Sequence, residues 1–514
     1  MLDFAIDEIE KEYKRLICLK ETKQIFRMGT LFSTEFNNYY YDTGTGKVVM
    51  LDDPSYHFLN FLFGEESDTF SFNQIQNIIA SIMEENLLKA KEVTEFSSLS
   101  HQEGLETSLN NELSQIILEL TGRCNLRCGY CIYNENCDAN RDFNQKNMSK
   151  EIAKAALEYA RDHSGDEISI TFYGGEPLLM YDLLKWSIEY AQSILINKKV
   201  SYSFTTNLTL MNETMADYFA TVDNLNILCS FDGPEMIQNS YRKFSNGTGS
   251  YEAAINGLKI ISEKMSKSGL KNRISINAVF APPYSYEKLD QINNFFENLD
   301  FLPEDTNIQI EYVSDGSVKD DGFLNEMRNN KKYLHNSEGI INPLWIWQKK
   351  HFLLSKDSGS NSIFTYPLQV ELTKINQRVV TDQPIDFYPF NGCCVPGVRR
   401  LYITTDGKFL ACERIGNSPY IGDIYNGPDL KVIRKYYVDD YMNKSINYCK
   451  NCWAVRMCRV CYASCFDKEG VNIVEKQKVC DSMRKQIRNK LSFLHEMLEI
   501  CPDKLDFLKD MEIK

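Results

Sequence analysis

Three closely spaced cysteines follow an apolar, β-prone segment early in the chain. The segment Ile116 to Leu120 (IILEL) predicts a strand, and the loop after it carries Cys124, Cys128 and Cys131. The spacing C-x3-C-x2-C allows one short loop to turn three thiolates towards one face of a cubane iron–sulfur cluster. A four-iron cluster normally takes four protein ligands, so three cysteines leave one iron for a ligand that is not protein.

A zinc knuckle is the alternative interpretation of this loop. Zinc sites prefer paired C-x2-C units or added histidines, and the loop has neither. The one further thiol nearby is Cys137. Because the chain has 16 cysteines but only six histidines, sulfur has to carry most of its metal chemistry.

The overall composition narrows the class of protein. A length of 514 residues corresponds to about three domains. The net charge of −14 argues against nucleic acid and membrane partners, which are bound through basic surfaces. The acidic N-terminus lacks the apolar core of a secretory signal, and no run approaches the roughly 18 apolar residues of a membrane span. We therefore expect a cytoplasmic protein whose clustered cysteines bind metal or act in redox chemistry.

Strand and helix patterns alternate over residues 115 to about 313. Such alternation implies parallel strands joined by crossover helices. Six such units are too few for a closed eight-stranded barrel. The predicted strands are 115–120, 167–172, 202–206, 225–230, 273–279 and 307–313, and the predicted helices are 149–162, 179–195, 212–220, 250–266 and 285–297.

Polar or glycine-rich motifs stand at the ends of the first four predicted strands. The cysteine loop follows the first strand, Gly174-Gly175-Glu176-Pro177 the second, Thr206-Asn207 the third and Ser230-Phe231-Asp232-Gly233-Pro234 the fourth. Any one of them alone would be an ordinary βα turn. All four lie at the same end of the predicted sheet, where the active sites of barrel folds gather. The adjacent glycines would let the backbone approach a ligand closely.

The cysteine spacing and the Gly-Gly-Glu motif together resemble the radical S-adenosylmethionine (SAM) enzymes. The resemblance implies an open (β/α)6 partial barrel in which S-adenosyl-L-methionine chelates the open iron and is cleaved to a 5′-deoxyadenosyl radical. A surface salt bridge is the alternative role for the arginine among the implied SAM contacts. Those contacts are Gly174, Gly175, Glu176 for the ammonium, Asn207 for the ribose, Ser230 and Arg242 for the carboxylate, and Tyr130 near the adenine.

The segment from Ser230 to Tyr251 resembles the peptide-maturase branch of this family. That branch often has His-Asp where this chain has Gln238-Asn239. A chemical role of that pair is therefore not expected to carry over to this chain. Asp232 is a candidate proton acceptor.

A second set of cysteines lies in the C-terminal third. It comprises Cys393, Cys394, Cys412, Cys449, Cys452, Cys458, Cys461, Cys465 and Cys480, with a predicted hairpin turn at Asp406-Gly407. The intervals resemble the SPASM extension, which binds two auxiliary four-iron clusters. Two zinc ribbons are the alternative. Cys18, Cys137, Cys229 and Cys501 fall outside both patterns and are expected to be unliganded thiols.

The SPASM resemblance implies a ligand set for each auxiliary cluster. The outer cluster would take Cys449, Cys452, Cys458 and Cys480. The inner cluster would take Cys412, one of Cys393 and Cys394, and one of Cys461 and Cys465, because the spacing departs from the usual C-x3-C at this point. Without a fourth protein ligand, the inner cluster would keep an iron for a substrate thiolate.

The N-terminal 110 residues predict a small module of strands and helices. Tyr39 to Leu51 is a predicted hairpin, and 54–63 and 72–88 are predicted helices. The module resembles the winged-helix leader-recognition elements of peptide-modifying enzymes, which add an extended leader to a sheet edge. A structural cap or a dimerisation domain is the alternative. Residues 95–111 are predicted to be a linker, and 314–392 either an insertion over the barrel mouth or connecting structure.

The predicted fold class is therefore α/β. It combines a winged-helix-like α+β module with linker (1–110), a partial (β/α)6 radical SAM barrel (111–313), an insertion or bridging region (314–392) and a cysteine-rich SPASM domain with a C-terminal helix (393–514).

The predicted function is that of a radical SAM peptide maturase with three 4Fe–4S clusters. It would act on a precursor peptide with a leader, form thioether (sulfur-to-carbon) cross-links and receive electrons from a donor such as flavodoxin or ferredoxin. The alternative enzymes are an anaerobic sulfatase-type formylglycine maturase and a carbon–carbon cross-linking maturase. The non-enzyme alternative is a zinc-stabilised peptide-binding scaffold.

Overall fold

The computed structural model describes residues 4–64, 70–133, 143–313, 335–336, 339–340, 343–355 and 365–511. It separates into two compact units. The barrel unit comprises Gly104–Leu368 and Val395–Ile433, and the terminal unit comprises Met1–Glu103, Gln369–Cys394 and Arg434–Lys514. These units do not coincide with the four predicted segments, whose roles as functional domains stay a prediction.

The N-terminal part of the terminal unit is a three-stranded antiparallel sheet packed with helices. Its elements are α1 (Ile6–Glu21), β1 (Gly29–Ser33), β2 (Asn38–Asp42), β3 (Val48–Leu51), α2 (Asp53–Phe63) and α3 (Phe72–Glu84). The strand order β1-β2-β3 leaves β3 at an edge. Buried Leu16, Phe58, Ile75 and Ile79 belong to one apolar core. The hairpin and both predicted helices are confirmed, whereas α1 and β1 are not anticipated by the sequence patterns.

The predicted linker over 95–111 is wrong in part. A 3₁₀ turn at Leu99–His101 and helix α4 (Leu105–Asn111) lie in this segment. Leu105 and Leu109 are buried because they give α4 an apolar face, although the surrounding residues are polar.

The barrel unit is built on alternating strands and helices. Its elements continue as β4 (Gln115–Thr121), α5 (Lys150–His163), β5 (Glu167–Gly174), α6 (Tyr181–Ile194), β6 (Lys199–Thr206), α7 (Glu213–Phe219), β7 (Leu225–Ser230), α8 (Glu235–Tyr241), α9 (Tyr251–Ser268), β8 (Arg273–Phe280), α10 (Tyr286–Glu297) and β9 (Asn307–Tyr312). The six predicted strands and the five predicted helices are confirmed. The short helix α8 has no counterpart in the sequence-based prediction.

The sheet of the barrel unit extends beyond these six strands. Two short strands, β10 (His335–Asn336) and β11 (Gly339–Ile340), pair only with each other in the described part, and four more follow: β12 (Leu401–Ile403), β13 (Lys408–Leu410), β14 (Gly422–Asp423) and β15 (Gly427–Pro428). The ten-stranded order is β15-β14-β13-β12-β4-β5-β6-β7-β8-β9. Pairing is parallel from β12 to β9 and antiparallel from β12 to β15. The predicted hairpin turn is confirmed, with Gly407 at φ +81°.

Strand alternation separates the core of the barrel unit from a cavity. In β5, Ile168, Ile170 and Phe172 are buried. The alternate residues Thr171 and Tyr173 line the cavity. Successive side chains of a strand point to opposite faces of the sheet. The cavity face can therefore carry polar groups while the other face stays apolar.

The remaining helices are α11 (Pro343–Leu354), α12 (Thr365–Asn376), α13 (Asp440–Cys449) and α14 (Ile473–Ile500). A helical turn at Leu430–Val432 leads into a π-helix at Ile433–Asp439, and the two-residue strands β16 (Phe466–Asp467) and β17 (Gly470–Val471) pair with each other. Much of the predicted insertion over 314–392 lies outside the described residues. Among the described helices, none is both long and apolar enough to cross a membrane.

Candidate active site

The three-cysteine loop lies at the C-terminal end of β4. Cys124, Cys128 and Cys131 all line a cavity of about 750 Å³. The Leu126 amide donates a hydrogen bond to Cys124 Sγ at 3.4 Å, and the Tyr133 amide donates one to Cys131 Sγ at 3.5 Å. Amide donors of this kind stabilise and tune cluster-bound thiolates.

Burial makes bare thiolates unfavourable in this loop. It raises the pKa of Cys124 to about 11 and the pKa of Cys131 to about 12, and it also raises the pKa of Cys128. A cationic metal centre would offset that cost, since metal ligation deprotonates a thiol. The donor set of three buried thiols with amide hydrogen bonds therefore fits an iron–sulfur cluster.

Zinc stays the alternative metal for this loop. Zinc binds four ligands that converge on one ion at about 2.0–2.3 Å. In the part of the chain that the structure describes, no three His, Cys, Asp or Glu side chains converge in a way that could hold one metal ion.

Gly174 and Gly175 have a packing role that the sequence does not reveal. A Cβ on Gly174, which has φ +135°, would overlap the carbonyl oxygen of Thr121, and a Cβ on Gly175 would overlap that of Arg123. The Gly175 amide donates to Thr121 O at 2.8 Å, and the Glu176 amide donates to Arg123 O at 2.9 Å. The two glycines thus let the end of β5 pack against the start of the cysteine loop, while also lining the cavity.

Glu176 connects three segments at the floor of the site. Its Oε1 accepts from the Leu178 amide at 3.0 Å and from Thr206 Oγ1 at 2.8 Å, and its Oε2 accepts from the Asn207 amide at 2.7 Å. The side chain is buried, and burial raises its pKa. Oε2 keeps acceptor capacity towards the cavity that Glu176 lines. The predicted contact with the SAM ammonium stays a prediction.

Asn207 and Ser230 both line the same cavity. Asn207 Nδ2 donates to Asn125 Oδ1 at 3.0 Å, and Asn207 Oδ1 accepts from Thr209 Oγ1 at 2.7 Å. The amide therefore holds the cysteine loop against the end of β6. A contact with the ribose hydroxyls would have to share or replace these hydrogen bonds.

Tyr130, Asp232 and Arg242 form a buried network beside the cysteines. The Tyr130 hydroxyl donates to Asp232 Oδ2, and Arg242 Nη1 donates to the Tyr130 oxygen at 2.9 Å and lies 3.9 Å from Asp232 Oδ1. All three residues are at most 7% exposed. The alternative of a surface salt bridge for Arg242 is therefore wrong, because the pair is buried.

The same network tests whether a carboxylate ligand fits. Arg242 Nε is a buried donor without a hydrogen-bond partner among the described residues. Arg242 lines the cavity, so a ligand carboxylate there would satisfy this donor with a charge-assisted bond. Burial raises the pKa of Asp232, while the nearby guanidinium opposes that shift. Asp232 is already bonded to Tyr130 and the Val279 amide, and it anchors the loop.

Gln238 and Asn239 are structural in this chain. Gln238 Oε1 accepts from the Asp232 amide at 2.9 Å, and its Nε2 donates to Ser250 Oγ at 3.3 Å. Asn239 Oδ1 accepts from the Tyr251 amide at 3.0 Å. The pair therefore shapes the segment after β7 that carries Arg242.

Polar side chains deeper in the barrel were not identified from the sequence. Asn277 on β8 lines the cavity, and its Oδ1 is a buried acceptor without a partner among the described residues. The cavity-facing positions of the neighbouring strands are also polar: Gln115, Thr171, Ser203, Asn226, Ser275, Asn307 and Gln309. The signal for them was the polar residue at alternate positions of each predicted strand.

A second cysteine-lined cavity lies within the terminal unit. Its volume is about 420 Å³, and its walls include all four cysteines of the predicted outer cluster: Cys449, Cys452, Cys458 and Cys480. Arg484 Nη1 also donates to Cys452 Sγ at 3.8 Å. The four thiols that the SPASM resemblance implied for one cluster thus share a cavity. Their role as cluster ligands stays a prediction.

Cys393 lies near Cys461 and Cys465 in the terminal unit. Burial raises the pKa of Cys393 well above its usual range, and charges on Cys465 and Cys461 raise it further. Cys465 is 1% exposed, and its thiol donates to the Cys461 carbonyl at 3.3 Å. Cys394 belongs to the same unit, whereas Cys412 belongs to the barrel unit. The ligand set of the inner cluster therefore stays a prediction.

The four cysteines outside both patterns are placed apart from these cavities where they are described. Cys18 is exposed, Cys501 is half-buried, and Cys229 is buried on β7. Cys137 lies outside the described residues.

Comparisons with known proteins agree with this site. The model of the radical SAM superfamily matches residues 118–296, which include the three cysteines and the strand-end motifs. A solved structure of native anSMEcpe with bound AdoMet superposes with a TM-score of 0.51 at 18% identity, covering 78% of this chain and 100% of that chain. The likeness confirms an α/β fold with a mostly parallel sheet, and the family match identifies it as a radical SAM fold.

Three curated relatives extend the comparison. An uncharacterized protein of Methanocaldococcus jannaschii is 34% identical over 29% of this chain, and the match spans 49% of that protein, about half its length. The cysteine-type anaerobic sulfatase-maturating enzyme of Clostridium novyi is 26% identical over 68% of this chain and 87% of its own length. The radical SAM cyclopropyl synthase TigE of Paramaledivibacter caminithermalis is 23% identical over 86% of this chain and 90% of its own length.

These matches identify the chain as an enzyme with a radical SAM domain, similar to maturases. Such a domain implies S-adenosylmethionine and one 4Fe–4S cluster. The residues described above fit both groups, since three thiols line one cavity with an unpartnered guanidinium donor.

Proposed function

We propose that this chain, an enzyme with a radical SAM domain, is a peptide maturase that oxidises a residue of a precursor peptide. The four-cysteine cavity of the terminal unit carries the proposal. An oxidative modification releases an electron from the substrate, and a second iron–sulfur site gives that electron a place to go. A scaffold protein would need neither this site nor the barrel cavity.

The barrel residues would hold the cofactors as follows. Cys124, Cys128 and Cys131 would bind three irons, and Arg242 would pair with the carboxylate of S-adenosylmethionine. When bound, the reduced cluster supplies the electron that splits S-adenosylmethionine into methionine and a 5′-deoxyadenosyl radical. Glu176 and Asn207 keep the cysteine loop, β5 and β6 in register around the bound molecule.

The chemistry of the substrate step balances as an oxidation by two electrons. A carbon of the peptide would give a hydrogen atom to the 5′-deoxyadenosyl radical that bound S-adenosylmethionine supplies. In a thioether maturase, a cysteine thiol of the peptide would then lose its proton as its sulfur bonds to that carbon. The remaining electron would go to a cluster held by the auxiliary cysteines. The peptide loses two hydrogen atoms overall.

The edge strand β3 supports recognition of a leader peptide. β3 ends the sheet, and a cavity of about 460 Å³ lies beside it, lined by Val48, Met50, Arg378 and neighbouring residues of the terminal unit. Met50 is 62% exposed and Val380 is 51% exposed. A free strand edge with apolar side chains is the surface that β-augmentation uses. An extended leader would pair there.

The comparisons favour a second candidate for the bond that is formed. TigE, which matches 86% of this chain, is a cyclopropyl synthase, and a cyclopropane ring is closed by a carbon–carbon bond. The sulfatase-maturating relative matches less of the chain, 68%. Carbon–carbon bond formation therefore stands beside thioether formation, with formylglycine formation as the third possibility.

One experiment separates these products. The reconstituted protein is incubated anaerobically with S-adenosylmethionine, a reductant and a Cys-rich precursor peptide encoded beside the gene. Thioether formation removes two hydrogen atoms and one free thiol, whereas carbon–carbon bond formation removes two hydrogen atoms and leaves the thiols. Formylglycine formation removes two hydrogen atoms and replaces the thiol sulfur by oxygen. Mass spectrometry after thiol alkylation distinguishes these products. A precursor peptide that stays unchanged while 5′-deoxyadenosine forms would contradict the peptide-maturase proposal.

The leader-binding step has a separate test. Met50→Arg places a charge on the exposed edge of β3, and we expect it to weaken leader binding at least tenfold, about 1.4 kcal/mol. Phe36→Arg is the matched control, because Phe36 is 61% exposed but lies between β1 and β2. Fluorescence anisotropy with a labelled leader measures both. Equal affinities for the two variants would contradict leader pairing at β3.

A further inference from the structure

Lys476 is a buried cation on the wall of the four-cysteine cavity. It is 2% exposed, and it lies one helical turn before Cys480 on α14, so the two side chains share a helix face. Its Nζ donates to Ser445 Oγ at 2.7 Å, to Tyr441 Oη at 2.9 Å and to Asn391 Oδ1 at 3.3 Å. Three hydrogen bonds from separate segments fix the ammonium in place.

All three acceptors of Lys476 are neutral oxygens. Among the residues that the structure describes, no carboxylate lies within ion-pair distance of its Nζ, whereas the exposed Lys478 two residues later pairs with Glu475 at 2.6 Å. A buried charge without a counter-charge is costly. Among the described residues, the Lys476 ammonium is therefore held by neutral groups alone.

A second orphaned group lines the same cavity. Asn391 Nδ2 is a buried donor without a partner among the described residues. Lys476 and Asn391 thus both offer positive charge or donor capacity to the space enclosed by Cys449, Cys452, Cys458 and Cys480. A four-iron cluster bound by four thiolates is an anion, and it would satisfy both groups.

We propose that Lys476 is the fixed counter-charge of the cluster held by these four cysteines and raises its reduction potential. The proposal rests on the auxiliary clusters of the proposed function. Reduction adds one electron to an already negative cluster, and a cation at short range in a poorly screened site stabilises the reduced form. Lys476 is a positioning residue, since it acts on the substrate only through the cluster.

Tyr441 connects the charge of Lys476 to Cys393 as well. Tyr441 accepts from Lys476, donates to Asn391 Oδ1 at 2.9 Å, and lies close enough to Cys393 for their charges to interact. The two sets of auxiliary cysteines in the terminal unit are therefore linked through one hydrogen-bonded tyrosine. A change at Lys476 alters the field at both.

The test is a potentiometric titration followed by electron paramagnetic resonance on the reconstituted full chain. The variants are Lys476→Met, which removes the charge, Lys476→Arg, which keeps it, and Lys478→Met as the exposed control on the same helix. We expect Lys476→Met to shift the reduction equilibrium at least tenfold, lowering the midpoint by about 59 mV or more for one electron. Lys476→Arg should recover most of the shift, and Lys478→Met should leave the midpoint unchanged.

Three outcomes decide the proposal. Equal midpoints for wild type and Lys476→Met, with equal iron contents, would overturn it. If Lys476→Met does not assemble its clusters, Lys476→Gln compared with Lys476→Arg gives the same contrast of neutral and charged side chains, and equal midpoints there would overturn it too. A wild-type chain with about four irons and no auxiliary signal would overturn both this inference and the auxiliary clusters of the proposed function.

Discussion

The two cysteine-lined cavities differ in the number of thiols and in the groups around them. The barrel cavity has three cysteines with the buried pair Asp232 and Arg242, and its volume is about 750 Å³. The cavity of the terminal unit has four cysteines with Lys476 and Arg484, and its volume is about 420 Å³. Three thiols with spare room suit a cluster that also binds a small molecule. Four thiols in a smaller space suit a cluster that only exchanges electrons.

The charged groups around the two cavities differ in a way that agrees with these two roles. In the barrel cavity, the cation already has a carboxylate partner, and its Nε has no acceptor among the described residues. In the other cavity, the acceptors of the buried ammonium in the described part of the chain are neutral. The first arrangement recognises a ligand that comes and goes, whereas the second balances a resident anion.

The largest expected effect comes from removing one thiol in each cavity. Cys128→Ala should reduce 5′-deoxyadenosine formation to background, because the SAM-binding cluster loses a ligand that cannot be replaced. Cys452→Ala should lose about four irons per chain but keep S-adenosylmethionine cleavage. Iron analysis and chromatography of 5′-deoxyadenosine measure both. Loss of S-adenosylmethionine cleavage in both variants would contradict the different functions assigned to the two cavities.

The next effect concerns the free guanidinium donor. Arg242→Met should weaken S-adenosylmethionine binding by about tenfold to a hundredfold, because a hydrogen bond between charged groups contributes about 1.5–3 kcal/mol. Equilibrium dialysis measures the affinity. Arg242→Met also leaves the Asp232 carboxylate without its cation. The double variant Arg242→Met with Asp232→Asn controls for this effect, and it should bind S-adenosylmethionine as weakly as Arg242→Met alone. Wild-type affinity in either variant would contradict a carboxylate contact at Arg242.

A smaller effect is expected at the floor of the barrel site. Glu176→Gln turns one acceptor oxygen into an NH2 group facing donors, which should lower the free energy of unfolding by about 1–3 kcal/mol. Glu167→Gln is the matched control, since Glu167 is an exposed carboxylate paired with Lys199, and it should change stability by less than about 1 kcal/mol. Anaerobic urea unfolding compares the two. Similar losses of unfolding free energy in the two variants would show that the three hydrogen bonds to Glu176 contribute little to stability.

The last effect is a gradual one, a pH dependence at Lys288, whose ammonium donates to the Ala281 carbonyl at 2.8 Å. Burial lowers the pKa of Lys288 from 10.5 to about 8. Between these values the unfolded chain binds a proton that the folded chain has released, so this residue makes stability rise with pH, by at most about 1.4 kcal/mol per pH unit. The difference in unfolding free energy between wild type and Lys288→Met should show that slope across this window. A difference in unfolding free energy that does not change with pH would contradict the lowered pKa of Lys288.

Local patterns in the sequence were enough to predict the barrel and the cysteine sets. The strands from β4 to β9 follow apolar runs, and the motifs after them fall at one edge because parallel strands end together. The resemblance of the cysteine intervals to the SPASM extension implied the four thiols around Cys449 and Cys458 that share a cavity. These features depend on short stretches of chain, where periodicity and spacing are informative.

The features that the sequence did not reveal depend on contacts between distant segments. β12 pairs with β4, with Tyr402 opposite Ile117, although the two strands are far apart in the chain. Lys476 lies in a polar helical segment, and its local sequence carries no sign of burial. Its burial arises only because Asn391, Tyr441 and Ser445 are brought to it by folding.

The iron content of the reconstituted protein, measured together with S-adenosylmethionine cleavage, tests the central claim most directly. The account predicts about 12 irons per chain with matching sulfide, three four-iron clusters in all, and 5′-deoxyadenosine formed under reductant. Zinc without iron, and no cleavage of S-adenosylmethionine, would contradict it and leave a zinc-stabilised binding protein.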